Sequence, residues 1–450
     1  MVKSNLYKFR FLIVIVAAVV VVMAIWQFSS PHSSLSPTQP NVSTTPSPSS
    51  TQPNVSTTPS PTRYTLGNSI ISNTNTSGSI NLMLIFTHNI TDPAAIAKYY
   101  TFVWGAAPEQ VSELRAGNPK IVLSYYFPFH RNNGSFDNRN LGIQQNLNYW
   151  QSFHPDWILY KCDRSTPAYY ADTHDQSDNR MPLDFTNPAV INWQLQTYAV
   201  PASQNGYDAI AADNVDLVNT YGACGVYRNG QWVQLFNGKQ DDPKWRNAVL
   251  NWLTQMQNAL HQLAHPLYLI PNLAFGSISP SDPFAQQVVS HVDGISDEAG
   301  FTHYGDGDIT DTNWLQRVQF IESVQQQHKP YFIVNQVPSM NNAEILWSLG
   351  TYLMCNEGSA TIFISLPQDY GSDTRYPQYN IPIGDPTDEM YKAQNVYWRD
   401  YTGGLVAVNP SSKNSYTVTT SSSNYLDVNE HAVSRTFNLP PHSAMILLHA

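Results

Sequence analysis

The sequence predicts an α/β fold: a (β/α)8 TIM-type barrel with a small C-terminal antiparallel β domain, preceded by a single N-terminal membrane helix and a disordered linker. Three observations carry that prediction. From about residue 80, short apolar runs rich in β-branched and aromatic residues alternate with helical patterns, the signature of repeated βα units. Those runs are apolar on both faces, as strands covered by helices must be, instead of alternating apolar and polar. After Gly403 and Gly404 the alternation stops, and short strands follow one another with no helix between them.

Taken in order, residues 1–10 (MVKSNLYKFR) form a short basic cytoplasmic segment, and residues 11–28 (FLIVIVAAVVVVMAIWQF) follow without a charge. Eighteen helical residues span roughly 27 Å, close to the ~30 Å of a hydrocarbon core. The basic flank is N-terminal, so the positive-inside rule leaves the rest of the chain extracellular. The segment reads as an uncleaved transmembrane anchor. The competing reading is a cleaved signal peptide, which would leave the remainder secreted. Residues 29–63 form a Ser/Thr/Pro-rich linker with a direct repeat, TQPNVSTTPSP at 38–48 and again at 51–61. Little in it is large enough to build a core, so it is an extended stalk.

Residues 64–403 make the barrel. Its strand candidates are 81–86, 101–104, 120–127, 207–213, 266–273, 292–298, 331–337 and 361–366. A helix opens at Pro108-Glu109, and a second at Pro188 with Asn187 as its N-cap. Longer helical patterns cover 243–263, 311–328 with Asp311 as cap, and 342–355. Residues 128–185 read as irregular and aromatic. The closing domain, 404–450, holds strands at 405–410, 415–418, 435–439 and 444–448.

Aromatic residues and charged residues each make up 12% of the chain, a balance common in secreted, carbohydrate-handling proteins. The net charge is −10, and the first 63 residues carry Lys3, Lys8, Arg10 and Arg63 with no acid, so the remainder is more acidic still. That argues against a nucleic-acid partner, whose phosphates attract basic surfaces. Three cysteines are too few for a disulfide scaffold and lack zinc spacing. Cys162 and Cys224 both follow predicted strand ends, which leaves two readings open, a bridge or two isolated thiols.

Chemistry in a barrel of parallel strands sits at the C-terminal strand ends. Two segments run from an apolar strand into acids: 207–216 (YDAIAADNVD) and 291–301 (HVDGISDEAGF). Asp213 is the candidate nucleophile and Glu298 the candidate general acid/base for cleaving a glycosidic bond. Asp216, further into the loop, is the substitute for Asp213. Asp208 starts its strand and so belongs to the far end. Asp297 and Glu298 must point to opposite faces, and Glu298 has the longer reach. His88, Trp104, Tyr125, Tyr126, Asp184, Asn214, Asn272, Asn335 and Gln336 are the expected substrate-binding residues, with Trp104 as a stacking floor. The bland alternative at each is a core side chain with its polar atom satisfied. No nucleophile elbow, P-loop or H-E-x-x-H motif occurs. No cofactor, metal or obligate protein partner is expected.

The segments 104–108 (WGAAP), 120–127 (KIVLSYYF), 184–188 (DFTNP), 207–213 and 293–301 resemble those of the hypothetical glycosyl hydrolase family 15, a group distinct from the glucoamylases of the same number. The resemblance covers roughly residues 80–450 and implies a TIM-type barrel with a small β domain, but no substrate. More distantly, an Asp ending strand four and a Glu ending a later strand are similar to family 66 dextranase-type barrels. By that likeness Asp213 is the nucleophile, Glu298 the acid/base, and the reaction retaining on an α-linked polysaccharide. Polygalactosaminidase-like barrels share the outline and keep amino-sugar polymers among the substrates. Two alternatives remain: a non-catalytic carbohydrate-binding surface protein with a degenerate barrel, and a metal-dependent polysaccharide deacetylase.

Overall fold

Strands form where the sequence runs apolar on both faces. The computed structural model describes residues 80–450 except 170–179, 274, 276–278, 280, 368, 372 and 423. Parallel strands lie at β1 Met83–Ile85, β2 Phe102–Trp104, β3 Val122–Pro128, β4 Ala209–Asp213, β5 Tyr268–Pro271, β6 Ile295–Asp297, β7 Tyr331–Gln336 and β8 Ala360–Ser365. Between them run α1 Pro93–Ala97, α2 Val111–Gly117, α3 Pro188–Gln194, α4 Pro243–His261, α5 Pro283–Ser290, α6 Asp311–Gln326 and α7 Asn342–Cys355. Several start on a short polar side chain that accepts a backbone N–H of the first turn: Asn187 for α3, Asp242 for α4, Asp282 for α5 and Asn341 for α7. Asp311 is not the cap of α6. Thr310 holds that position, while Asp311 has φ +52° and its carboxylate accepts from the backbone of Ser412.

The ladders run as two sheets, β1-β2-β3-β4-β5 and β6-β7-β8. Single parallel bridges join the outer strands, Leu82 with Ile362 and Asn272 with Ser296. The continuous closed ladder expected from the sequence is therefore not what is observed. β1 and β6, three residues each, carry a ladder along one edge only.

Side-chain alternation divides each strand between two environments. Phe102 on β2 and Phe332 on β7 meet ring to ring, centroids 3.9 Å apart, and both are fully buried. One step along, Asp297 on β6 turns the other way, toward α6. There the guanidinium of Arg317 and the Tyr331 hydroxyl (2.8 Å) close on its carboxylate, and all three side chains are buried.

The sequence between β3 and α3 is more ordered than expected. It holds two short helices, Gly134–Leu141 and Leu147–Phe153. Strand Tyr160–Lys161 pairs with a hairpin of Ala223–Arg228 and Gln231–Gln234. Cys162 and Cys224 form a disulfide there, with Cα atoms 5.0 Å apart, so the bridge and not the pair of thiols is correct.

Beyond β8 the strands become antiparallel. A six-stranded sheet takes Tyr391–Ala393, Val396–Tyr401, Gly404–Asn409, Ser443–His449, Tyr425–Leu426 and Ala432–Val433 in that order, and Tyr416–Thr419 pairs with Thr436–Leu439. It packs on α7, where a Cβ at Gly350 would sit 2.4 Å from that of Ala444. Arg399 ties the two together. Its buried guanidinium donates to the carbonyls of Leu353, Met354 and Asn356 at the C-terminus of α7, where a cation suits the helix dipole.

Residues 1–63, which carry the expected basic segment, membrane helix and linker, lie outside the described residues. Among the described residues no helix is long and apolar enough to cross a membrane.

Two stability outcomes follow. Replacing Arg317 by Met leaves Asp297 a buried, uncompensated charge and should cost about 3–5 kcal/mol in urea unfolding. Replacing both Cys162 and Cys224 by Ser opens a crosslink spanning 62 residues and should cost about 2–4 kcal/mol in the same assay.

Candidate active site

Seven of the eight parallel strands, at or just past their C-terminal ends, and the loop after the eighth bring side chains to a single hollow. Phe86 follows β1, Trp104 ends β2, Tyr126 lies on β3 and Asp213 ends β4. Asn272 follows β5, Glu298 follows β6, Val334 lies on β7, and Tyr370 comes from the loop after β8. The free space between them is about 60 Å³, well under the ~300 Å³ or more of a pocket that encloses a small molecule. It can hold a reacting bond and its neighbouring ring edge, not a whole polymer.

Small residues below make room for these groups. Ala211 on β4 is fully buried between Tyr126 and Ile270, its register partners on β3 and β5. Ser296 on β6 lines the hollow beneath Glu298. Directly after Glu298 the chain passes close to β7. Gly300 has φ +52°, and a Cβ there would sit 2.5 Å from the carbonyl oxygen of Val334. Only glycine fits that approach.

The polar contacts converge on two carboxylates. Asp213 accepts from the Tyr126 hydroxyl at 2.9 Å, from Asn214 Nδ2 at 2.7 Å and from Asn272 Nδ2 at 2.9 Å. Asn214 reaches back to its neighbour because it sits in the left-handed region, φ +52°. The same Asn272 nitrogen donates to Glu298 Oε2 at 3.0 Å. One amide therefore spans both acids, and their nearest oxygens lie within about 6 Å of each other. Glu298 Oε1 is met by the Tyr370 hydroxyl, which Gln336 Nε2 contacts in turn. Burial pushes the Glu298 carboxyl above the usual glutamate range, the Asp213 charge pushes it further, and the Tyr370 and Asn272 hydrogen bonds work in the opposite direction. The Tyr126 hydroxyl is driven up strongly, first by burial and then by Asp213.

Of the residues singled out from sequence, Asp213, Glu298, Trp104, Tyr126, Asn214 and Asn272 come together, with Gln336 one step behind. Four lie elsewhere. Tyr125 points to the opposite face of β3, edge-on to Tyr207 at 5.2 Å, since neighbours on a strand cannot share a face. Asn335 is likewise turned outward, where it receives the Phe301 N–H at 2.7 Å and donates to Ser348 Oγ at 2.6 Å. Asp184 is buried in a turn, accepting from Thr186 Oγ1 at 2.6 Å and paired with Arg228 at 3.2 Å. His88 is exposed at the rim, its ring 6.1 Å from that of Phe86.

Asp216 does not line the hollow. Burial pushes its carboxyl up to about 7, with Arg131 opposing and Asp213 adding to the rise, and its Oδ2 has no hydrogen-bond partner. Sequence reasoning missed Tyr370, Phe86 and Ser296. Nothing distinguishes Tyr370 among 26 tyrosines before the loop is folded. Ser296, two residues before Glu298, was open to the alternation argument. Among the described residues, no group of three or more His, Cys, Asp or Glu side chains is placed to hold a metal.

The profile of the hypothetical glycosyl hydrolase family 15 matches residues 115–405. No curated protein is significantly similar. Among solved structures, the chain is similar to the glycoside hydrolase domain of a PelA variant from Pseudomonas aeruginosa, at 14% identity over 64% of this chain and 95% of that one (TM-score 0.38). It is also similar to the noncanonic maltogenic alpha-amylase AmyB from Thermotoga neapolitana, at 11% identity over 83% and 99% (TM-score 0.46). A third likeness is to an alpha-amylase from Malbranchea cinnamomea, at 11% identity over 82% and 96% (TM-score 0.46). The chain belongs to the hypothetical glycosyl hydrolase family 15, and its α/β domain is that of a glycoside hydrolase.

Proposed function

We propose that this protein is a retaining glycoside hydrolase that cleaves an extracellular, α-linked polysaccharide, with Asp213 as nucleophile and Glu298 as general acid/base. The observation that carries the reading is the Asn272 amide shared by the two carboxylates. It keeps their nearest oxygens within about 6 Å, which supports the ~5–5.5 Å spacing of direct attack over the ~6.5–9.5 Å that leaves room for an inverting water.

In this reading the two parallel sheets act as one closed (β/α)8 ring. The single bridges Leu82–Ile362 and Asn272–Ser296 and the contact of Phe102 with Phe332 support that closure. Asp213 attacks the anomeric carbon while the bond to the leaving oxygen breaks, and Glu298 passes its proton to that oxygen. Water then attacks the glycosyl-Asp213 ester and gives a proton back to Glu298. Burial and the Asp213 charge favour the protonated acid that the first step requires. Trp104, Phe86 and Tyr370 line the hollow, and aromatic side chains of this kind suit the apolar face of a sugar ring.

The α-linkage rests on the likeness to dextranase-type barrels. An extracellular domain held by residues 11–28 is supported by the basic flank of that segment. The Cys162–Cys224 bridge adds to this, since disulfides persist in oxidising compartments.

A polysaccharide screen of the full-length protein, reading reducing ends, should find a substrate. D213N should abolish turnover while leaving folding and glycan binding intact, and unchanged activity would retire the assignment. E298Q should lower kcat by about 10²–10⁴-fold. In the wild type kcat/KM should fall as pH rises through the elevated Glu298 pKa, and E298Q should lack that alkaline limb. Proton NMR of the first product should show the anomer of the substrate; the opposite anomer would falsify retention.

A further inference from the structure

The catalytic hollow offers about 60 Å³ and takes only the reacting bond and a ring edge, so the rest of a polymer must lie on the surface. A much larger groove, about 680 Å³, opens on the module inserted after β3 and β4. No residue lines both. The module has a small core of its own, built on Trp150, Trp157, Tyr160 and Leu183, and the Cys162–Cys224 bridge staples its two segments together. Both segments leave the C-terminal ends of their strands, the end that carries the hollow.

Asp156, Thr186 and Asn187 line the groove from the first segment, and Tyr227, Arg228 and Asn229 line it from the hairpin. The Arg228 side chain is 46% exposed, and one guanidinium N–H donates to Asp184 Oδ2 at 3.2 Å. Asp184 is fully buried and is fixed in turn by the Thr186 hydroxyl at 2.6 Å. A buried carboxylate thus sets where an exposed guanidinium points. The other Arg228 donors make no hydrogen bond to the described residues, and neither do the Asp156 carboxylate and the Asn229 amide. Tyr227 adds a ring braced edge-on by Tyr160 and Trp232, with centroids 5.6 and 5.4 Å away.

Resting on the reading of the protein as a polysaccharide hydrolase, we propose that this groove is a second, non-catalytic site that binds a stretch of neutral polysaccharide, with Arg228 as its anchor. Its volume falls within the ~300–1,000 Å³ of sites that hold small ligands. Sugar hydroxyls both donate and accept. The Arg228 fork and the Asn229 amide supply donors, and Asp156 accepts. The charges select against an anion: Arg228 and Asp184 cancel, Asp156 remains, and no other cation lines the groove among the described residues. Polymer held here stays on the face where Asp213 and Glu298 act, which raises its effective concentration at the hollow.

Affinity electrophoresis of the full-length protein in non-ionic detergent tests this, with native gels containing dextran, pullulan, soluble starch or, as the anionic control, polygalacturonate. The D213N background keeps the polymer from being consumed, and it should be retarded by at least one neutral polymer. Adding R228A should raise the apparent Kd about tenfold, the order expected when hydrogen bonds from a charged donor are lost. R228A also strips Asp184 of its counter-charge, so a melting curve checks folding. Should it not fold, D156A combined with N229G decides the matter: neither side chain is engaged within the protein, glycine suits the φ of +52°, and retardation should weaken in the same gels. Unchanged retardation of a folded variant, retardation by polygalacturonate alone, or none by any polymer overturns the proposal. The two failures are separable. D213N with wild-type turnover overturns the catalytic assignment, whereas an inactive D213N whose retardation ignores Arg228 overturns only the groove.

Discussion

Two carboxylates held within about 6 Å in a half-buried hollow repel each other, and the arrangement of the site answers that repulsion. At roughly 5 Å and an effective dielectric near 20, two full charges cost about 3 kcal/mol. The structure offsets this cost unequally. Asp213 receives three donors, from Tyr126, Asn214 and Asn272. Glu298 receives two and is raised by burial and by its neighbour. The inequality leaves Asp213 with the more donors and Glu298 with the carboxyl pushed upward, the kind of difference between two acids that the proposed cleavage uses.

The scaffold makes that geometry inexpensive. Asp213 follows from β4 and Glu298 from β6, and Asn272 stands at the end of β5 between them. Neighbouring strands lie about 4.8 Å apart, so a short amide on the middle strand reaches one acid on each side. A longer residue would overshoot and an apolar one would leave both acids without their shared donor. Alternation does the rest. Asp213 and Glu298 share the inner face with Ala211 and Ser296, whose small side chains leave space below, while Asp208 and Asp297 are consigned to other partners. Asp208 is clasped by Arg115 and the N–H of Leu123, and Asp297 by Arg317 and Tyr331.

Much of this was legible in the sequence, and the limits are physical. All eight parallel strands were visible because a strand covered on both faces is an uninterrupted apolar run, a pattern local to a few residues. The acids ending β4 and the segment after β6 were visible for the same reason. Parity was also available and was under-used: Tyr125 with Tyr126, and Asn335 with Gln336, could not both face one hollow. The hairpin after β4 carried a cue of its own. Asn229 and Gly230 at φ +52° and +74° are the pair such a turn prefers, with both residues in the left-handed region. Tyr370 was not legible. Its position depends on how a loop crosses back from β8 to β1, and no period or spacing in the chain encodes that.

The same reasoning explains why the joint between the two sheets matters. β5 and β6 share a single backbone bridge, Asn272 with Ser296, supplemented by the Leu273 N–H to the Ser296 carbonyl at 2.8 Å. It is at this thin joint that the Asn272 amide crosses from Asp213 to Glu298. There a side chain links groups on two strands that the backbone joins at a single bridge. One of the two joints closed by a single bridge thus carries the amide that links the two acids.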